Sequence, residues 1–171
     1  MLAKNEPVSR HVLSVLVDNE PGVLGRVVGL FSGRGYNIES LTVSEIEHDK
    51  HRSRITIVTS GTPAIIDQIE AQLGRLVPVH KVVDLTNSGP SVERELALIK
   101  VAGTGEARAE ALRLAEAFRA RVMDATIESF VFELTGKPDK LDQFITLMLP
   151  LGLVEVSRTG VAAISRGPAG M

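Results

Sequence analysis

The chain has 171 residues, enough for one domain or two small ones, and 44% of them are hydrophobic, enough to bury a core. Its formal net charge of −2 gives no bulk attraction to nucleic acid or to an anionic membrane. The absence of cysteine excludes disulfides, thiolate nucleophiles and Cys-ligated metal centres, and it fits a reducing compartment.

The first 86 residues predict one β-α-β-β-α-β unit. After a flexible tail at residues 1–10, apolar and β-branched positions predict strands at 11–17, 37–47, 54–59 and 76–85. Two helices, at 22–33 and 63–74, each carry a single apolar face. Gly35 is a plausible stop for the first helix, and Thr62 is the expected N-cap of the second, before Pro63. Pro78 indicates an edge strand or a bulge.

The same pattern returns after a Ser-, Gly- and Pro-containing linker at 87–92. Strands are predicted at 95–102, 121–127, 129–134 and 153–159, and helices at 106–120 and from Pro138 onward. Residues 161–164 continue the last strand or pair beside it, and residues 166–171 form a second flexible tail.

The two copies predict an α+β fold with two tandem ferredoxin-like βαββαβ domains, at 11–86 and 93–165. The helices of each domain should cover one face of its sheet, because each helix has only one apolar stripe to bury. The other face also carries apolar residues, such as Val58, which must be buried against another surface. Domain pairing or dimerisation is the simplest way to bury them.

The turn Asp18–Gly22 between the first strand and the first helix is the best candidate site. The first N–H groups of a helix have no internal partners and favour an anion such as a carboxylate. Gly22 leaves the approach clear, and the Asn19 amide can both accept and donate hydrogen bonds. An α-amino acid offers both charges on neighbouring atoms. On spacing alone, however, an ordinary turn is the favoured interpretation.

Asn37 follows the far end of the same helix, so it is expected to meet Asn19 only if two subunits or two domains share one ligand. Taken alone, Asn37 is predicted to be a residue that follows the helix end in the left-handed conformation. Gly25, Gly29 and Gly33 form a stripe that indicates either close approach of another backbone or a ligand, or a tight contact with the domain's own sheet, and the spacing favours neither interpretation.

No residue pattern points to catalysis. His48 and His51 lie in a charged turn that is better explained as solvated than as a metal site. Phosphate-binding and dinucleotide-binding loops are incomplete, and we find no nucleophile with a matching base. A stand-alone enzyme is therefore disfavoured. A transcription regulator would need a DNA-reading element, and no such pattern is visible.

Four segments closely resemble the small regulatory subunits of acetohydroxyacid synthase (acetolactate synthase), which belong to the ACT-domain family. They are LSVLVDNEPGVLGRVVGLFSGRGYNIESLTV at 13–43, SRITIV at 53–58, VERELALIKV at 92–101 and VEVSRTGVAAISRG at 154–167. The resemblance covers nearly the whole chain apart from the two tails. The long first segment is more specific than a generic ACT-domain match.

This resemblance implies a non-catalytic subunit whose first domain is an ACT domain that dimerises side by side and binds valine, or a related branched-chain amino acid, at the dimer interface. The implied ligand contacts are Asn19, Gly22, Val23 and Leu24 from one subunit, with Asn37 and Ile38 from the other. Gly25 sits where feedback-resistant changes would be expected. The second copy has Gly103-Thr104-Gly105 in place of the ligand turn, so it is not expected to bind an amino acid in the same way.

The implied partner is a separate catalytic large subunit, which the small subunit activates and makes sensitive to feedback inhibition. No cofactor or metal is expected on this chain; thiamine diphosphate, Mg and FAD are expected on the catalytic partner. Residues 1–10 contain no apolar run and no stretch reaches the roughly 18 apolar residues of a membrane span. We therefore expect a cytoplasmic protein that contacts neither nucleic acid nor membrane. An amino-acid-sensing ACT module of another enzyme, or of a transcription regulator, is the alternative.

Overall fold

The chain forms two compact units in a computed structural model that describes residues 6–171. One unit comprises the chain up to Val92 together with Val161–Met171, and the other is Glu93–Gly160. Residues 1–5, half of the predicted N-terminal tail, lie outside the described residues. Within the described part, no helix is both long and apolar enough to cross a membrane.

The first unit has the predicted ferredoxin-like order of elements. They are β1 (Ser9–Asp18), α1 (Val23–Arg34), β2 (Ser40–Glu47), β3 (Arg52–Gly61), α2 (Pro63–Gly74) and β4 (Val79–Asp84). The strands form an antiparallel sheet in the order β2-β3-β1-β4. β1 begins two residues inside the predicted tail, because Ser9 and Arg10 pair with Gly61 and Ser60 of β3.

Local chemistry sets the ends of these elements. The Thr62 side chain accepts a hydrogen bond from the Ile65 N–H (3.4 Å) at the start of α2, as predicted. Gly35 ends α1 in the left-handed region, at φ 70°, again as predicted. Pro78 stands just before β4 rather than inside it, because proline has no N–H to donate to a neighbouring strand.

The core of the first unit lies between the helices and one face of the sheet. Strand alternation turns Ile55 and Ile57 of β3 toward Val27 and Phe31 of α1 and toward Leu73 of α2. All five side chains are buried. The prediction that each helix buries one apolar stripe on one face of the sheet is confirmed.

The opposite, outer face of this sheet is covered by the C-terminal segment, defined here as Val161–Met171, which contains β9 (Ala162–Ser165). Val161 and Ala163 pack against Val12, Val58 and Leu85, and all five are buried. The unit boundaries therefore differ from the predicted domain boundaries, which placed 161–165 in the second domain. The reason is that alternation along β1 and β3 leaves an apolar row facing away from the helices, and this segment covers it.

The end of the segment also lies against this face, although residues 166–171 were predicted to be a flexible tail. The Arg166 N–H donates to the Pro90 carbonyl (2.9 Å). The Ser14 hydroxyl of β1 donates to the Met171 sulfur (3.1 Å). Ser14 is 1% exposed.

The second unit repeats the same topology. Its elements are β5 (Ser91–Ala102, of which the first two residues belong to the first unit), α3 (Gly105–Phe118), β6 (Arg121–Ala125), β7 (Ser129–Gly136), α4 (Pro138–Met148) and β8 (Leu153–Arg158). The strands are antiparallel in the order β6-β7-β5-β8. Phe132 and Phe144 meet edge to face in its core, with ring centroids 6.0 Å apart. The fold class of two tandem ferredoxin-like domains is confirmed.

Candidate functional site

The start of α1 is an uncapped helix N-terminus at the surface. Gly22 occupies the N-cap position in the left-handed region (φ 86°), and its position receives no side-chain cap. The first turn of α1 contains no acidic residue either. In the described residues, no backbone acceptor is found for the Leu24 and Gly25 N–H groups. Within the described residues, no group of the chain therefore compensates the partial positive charge of this terminus.

The space in front of this terminus is open. A Cβ built on Gly22 would meet no heavy atom within 4 Å. Asn19 is exposed, and its backbone is held by an N–H bond to the His51 carbonyl (2.6 Å). Among the described residues its side-chain amide has no partner, so it remains available beside the helix start.

Val23 and Leu24 differ in what they can offer a ligand. The Val23 side chain is 4% exposed and belongs to the core, and its N–H points to the Glu20 carbonyl (3.4 Å). The Leu24 side chain is 41% exposed. The predicted role of Val23 is therefore restricted to its backbone, whereas Leu24 has both a free N–H and an accessible apolar side chain.

Asn37 and Ile38 lie at the other end of α1. The Asn37 carbonyl accepts a hydrogen bond from the Thr59 hydroxyl (2.6 Å), and its side chain is exposed. Ile38 is half-buried against the core of the same unit. The left-handed interpretation of Asn37 is wrong: among described non-glycine residues, only His51 and Arg119 have positive φ. Gly35 already reverses the chain after α1, so Asn37 need not.

The six predicted contact residues thus form two groups that one chain does not bring together. The 12 residues of α1 separate Gly22 from Gly35, a helix length of about 18 Å at 1.5 Å per residue. A free amino acid is much shorter than that. A shared site would require Asn19, Gly22 and Leu24 of one chain and Asn37 of another.

The glycine stripe of α1 is exposed along its whole length. A Cβ on Gly25, Gly29 or Gly33 would have no heavy atom within 4 Å. The alternative that these glycines permit a tight contact with the domain's own sheet is therefore wrong. The stripe leaves a flat surface on α1, beginning in the turn that carries the free N–H groups.

A hydrogen-bonded chain of Ser9, His11 and Asp84 was not found from sequence, because His11 and Asp84 are 73 residues apart. Ser9 Oγ lies 2.9 Å from His11 Nε2, and His11 Nδ1 lies 2.8 Å from Asp84 Oδ2. The same carboxylate accepts from the Thr86 N–H and the Asn87 amide. These contacts hold the first strand against the turn after β4, so Ser9, His11 and Asp84 have a structural role.

The turn containing His48 and His51 is held by local contacts. His48–Lys50 form a short 3₁₀ helix, and His51 follows in the left-handed region. His48 pairs with Glu45 (3.1 Å) and Lys50 with Glu47 (3.2 Å), both at the surface. Across residues 6–171, no group of three or more His, Asp or Glu side chains is arranged to hold a metal ion.

Two family models match the chain. The model described as "AHAS small subunit-like ACT domain" matches residues 13–81, and the model described as "Small subunit of acetolactate synthase" matches residues 94–167. The first match includes all six predicted contact residues, and it agrees with the ferredoxin-like topology of the first unit.

Relatives of similar length agree with these matches. The probable acetolactate synthase small subunit of Archaeoglobus fulgidus is 48% identical, over 92% of this chain and 98% of the relative. The isozyme 3 small subunit of Salmonella typhimurium is 46% identical, over 92% and 96%. The crystal structure of the small subunit from Thermotoga maritima has a TM-score of 0.84 and 40% identity, over 94% and 99%. The chain therefore belongs to the family of acetolactate synthase small subunits, and its first domain is an ACT domain.

Proposed function

We propose that this chain is the regulatory subunit of an acetolactate synthase, and that it binds valine or a related branched-chain amino acid between two ACT domains. The observation that carries the proposal is the open, uncapped start of α1 in a small-subunit family member. Gly22 leaves the free N–H groups of Leu24 and Gly25 accessible, and Asn19 stands beside them. A carboxylate and an ammonium group on adjacent atoms match this pair of features.

In the proposed complex, the carboxylate of the ligand accepts from the Leu24 and Gly25 N–H groups. The Asn19 side-chain oxygen accepts from the ammonium group. The branched side chain packs on Leu24 and on Ile38 of the partner subunit, and Asn37 of the partner subunit completes the polar contacts. Two subunits are needed because α1 holds its two ends about 18 Å apart.

Feedback inhibition then requires that the ligand bind two arrangements of the complex unequally. A ligand shifts an equilibrium only by its difference in affinity for the two states. Bound valine would favour a dimer arrangement that holds the catalytic subunit in a less active state. This chain would bind no cofactor of its own, while thiamine diphosphate, Mg and FAD would belong to the catalytic subunit that it activates.

Gly22→Asp tests the site, with Gly22→Asn as its matched control. Both replacements have similar size and share the cost of a left-handed backbone at φ 86°. Only aspartate places a negative charge beside the carboxylate of the ligand. We expect calorimetry to show valine affinity at least ten-fold weaker in Gly22→Asp than in Gly22→Asn, while both still stimulate the catalytic subunit. Valine binding by Gly22→Asp as tight as in the parent would show that the site lies elsewhere.

The regulatory role is tested by titrating the reconstituted complex with valine, leucine and isoleucine. We expect this chain to raise acetolactate formation by the catalytic subunit, and at least one of the three amino acids to lower it. Acetolactate formed from pyruvate by this chain alone, with cofactors supplied, would overturn the proposal.

A further inference from the structure

The outer face of the first sheet changes character along the strands. Its apolar row, Val58–Val12–Leu85, is the one covered by Val161 and Ala163. Two residues further along the strands lies a mostly polar row, Thr56–Ser14–Val83. The next row is Arg54–Leu16–Lys81, since both Arg54 and Lys81 are register partners of Leu16. Arg54 of β3 and Lys81 of β4 therefore stand on either side of Leu16, a buried residue of the central strand β1.

A cavity of about 500 Å³ lies between this face and the C-terminal segment. Ser14, Arg54 and Lys81 line its sheet side, and residues 163–171, including Arg166, line the other. Every lining residue belongs to the first unit. The cavity is separate from the start of α1, because it lies on the face of the sheet opposite to the helices.

The charged side chains that line this cavity are all cationic. They belong to Arg54, Lys81 and Arg166, and no aspartate or glutamate side chain lines it. Among the described residues, none of these three cations has an ion-pair partner within 4.0 Å. The Arg54 Nε atom is itself buried and has no hydrogen-bond partner. A buried donor without an acceptor is costly, so its position next to a cavity indicates an acceptor that binds there.

We propose that this cavity binds a small phosphate-bearing anion, held by Arg54, Lys81 and Arg166. Guanidinium groups match phosphate oxygens in geometry and charge, and lysine supplies a further point charge. The hydroxyl of Ser88, which also lines the cavity, is a further donor. Three unpaired cations suit a multiply charged anion better than the single carboxylate of an amino acid, and no carboxylate side chain faces the cavity to receive an ammonium group.

The proposed anion would connect the C-terminal segment to the sheet. Arg166 lies on the segment, whereas Arg54 and Lys81 lie on β3 and β4. Without an anion, their like charges repel one another across a shared cavity. With one bound, each cation gains an oppositely charged partner. Binding would therefore hold the segment more firmly on the first unit.

The test uses inorganic phosphate and pyrophosphate, titrated into the full-length chain by calorimetry at constant ionic strength set with chloride. We expect saturable binding that weakens at least ten-fold in Arg54→Gln and in Arg166→Gln. Arg75→Gln is the matched control, because Arg75 is an exposed arginine at the C-cap of α2, on the helix side of the sheet. It should bind phosphate as the parent does.

Hydrogen exchange supplies a second readout that does not depend on the heat of binding. Saturating pyrophosphate should slow exchange of the amides of residues 163–167 in the parent and leave them unchanged in Arg54→Gln. Chloride alone producing the same protection, an absence of saturable binding to the parent, or equal binding by all three variants would each overturn the proposal. Valine binding plays no part in any of these measurements.

Discussion

At the scale of single residues, Glu70 on α2 is held in an unfavourable setting for a charged carboxylate. Burial raises its pKa above the usual value of 4.5, and the neighbouring carboxylates of Asp84 and Asp67 raise it further. A hydrogen bond from the Asp84 backbone and the nearby His11 act in the opposite direction but do not cancel the rise. Glu70 therefore sits beside the hydrogen-bonded pair that fastens β1 to the end of β4.

Glu70→Gln should raise the free energy of unfolding at pH 7. A carboxyl whose pKa is raised by folding contributes stability below its unfolded pKa, and this contribution is lost as pH rises through the folded pKa. Glutamine keeps an acceptor for the Asp84 backbone without the charge. Urea unfolding at pH 7 and pH 4 should show a gain that shrinks at the lower pH. An equal change at both values would contradict the electrostatic origin.

The residue scale also shows which contacts could be predicted from sequence. The Thr62 cap and the Gly35 stop depend on neighbours within five positions, so their chemistry could be read directly. The contact of His11 with Asp84 spans 73 positions and depends on which strands pair. A hydrophobic pattern predicts that strands exist, but it does not specify polar side chains that meet across them.

At the scale of elements, α1 carries an exposed glycine stripe that its own unit does not explain. Inside a helix, glycine costs about 0.5–1 kcal/mol relative to alanine. No heavy atom lies within 4 Å of a Cβ on Gly29. The proposed side-by-side dimer gives the stripe a use, since a partner could approach closely there. Sequence alone could not separate this use from a contact with the domain's own sheet.

Gly29→Ala should therefore have two opposite effects. The isolated subunit, at a concentration where it is monomeric, should gain about 0.5–1 kcal/mol toward chemical unfolding. Self-association, measured by analytical ultracentrifugation, should weaken because the new methyl group separates the two surfaces.

Gly74→Ala provides the control for this prediction. Gly74 is the last residue of α2 and also has open space around its Cβ, but it is not part of the stripe. Its replacement should leave self-association unchanged. If Gly29→Ala also leaves self-association unchanged, the stripe does not lie at the dimer interface. A loss of stability in the monomeric Gly29→Ala variant would contradict the open space around Gly29.

At the scale of the whole molecule, the repeated βαββαβ pattern was predictable because each copy is local and each element has its own periodicity. The destination of the C-terminal segment was not. Its apolar residues predict only an extended strand, and they could serve any sheet with an uncovered face. The outer face of the first sheet offers Val12, Val58 and Leu85, and the segment packs there although its sequence follows the second unit directly. Non-local packing, rather than propensity, decides between such partners.

Val161→Ala measures what this packing contributes. Val161 is 2% exposed in contact with the outer face, so removing two methyl groups should cost about 2 kcal/mol. Its backbone bonds remain, because the Val161 N–H donates to the Ser40 hydroxyl and its carbonyl accepts from the Thr42 hydroxyl. Ile164→Ala is the matched control in the same C-terminal segment, since Ile164 is 57% exposed and should change stability by less than about 0.5 kcal/mol.

The decisive measurement for Val161→Ala is hydrogen exchange resolved by residue. If the segment stabilises the unit on which it packs, amides of β1 and β3 should exchange faster, while those of β7 in the second unit should keep their parent rates. Faster exchange confined to β7 would show that the segment belongs energetically to the second unit, as the sequence pattern had predicted. Equal effects of Val161→Ala and Ile164→Ala would show that burial against the outer face contributes nothing, because the two replacements differ chiefly in that burial.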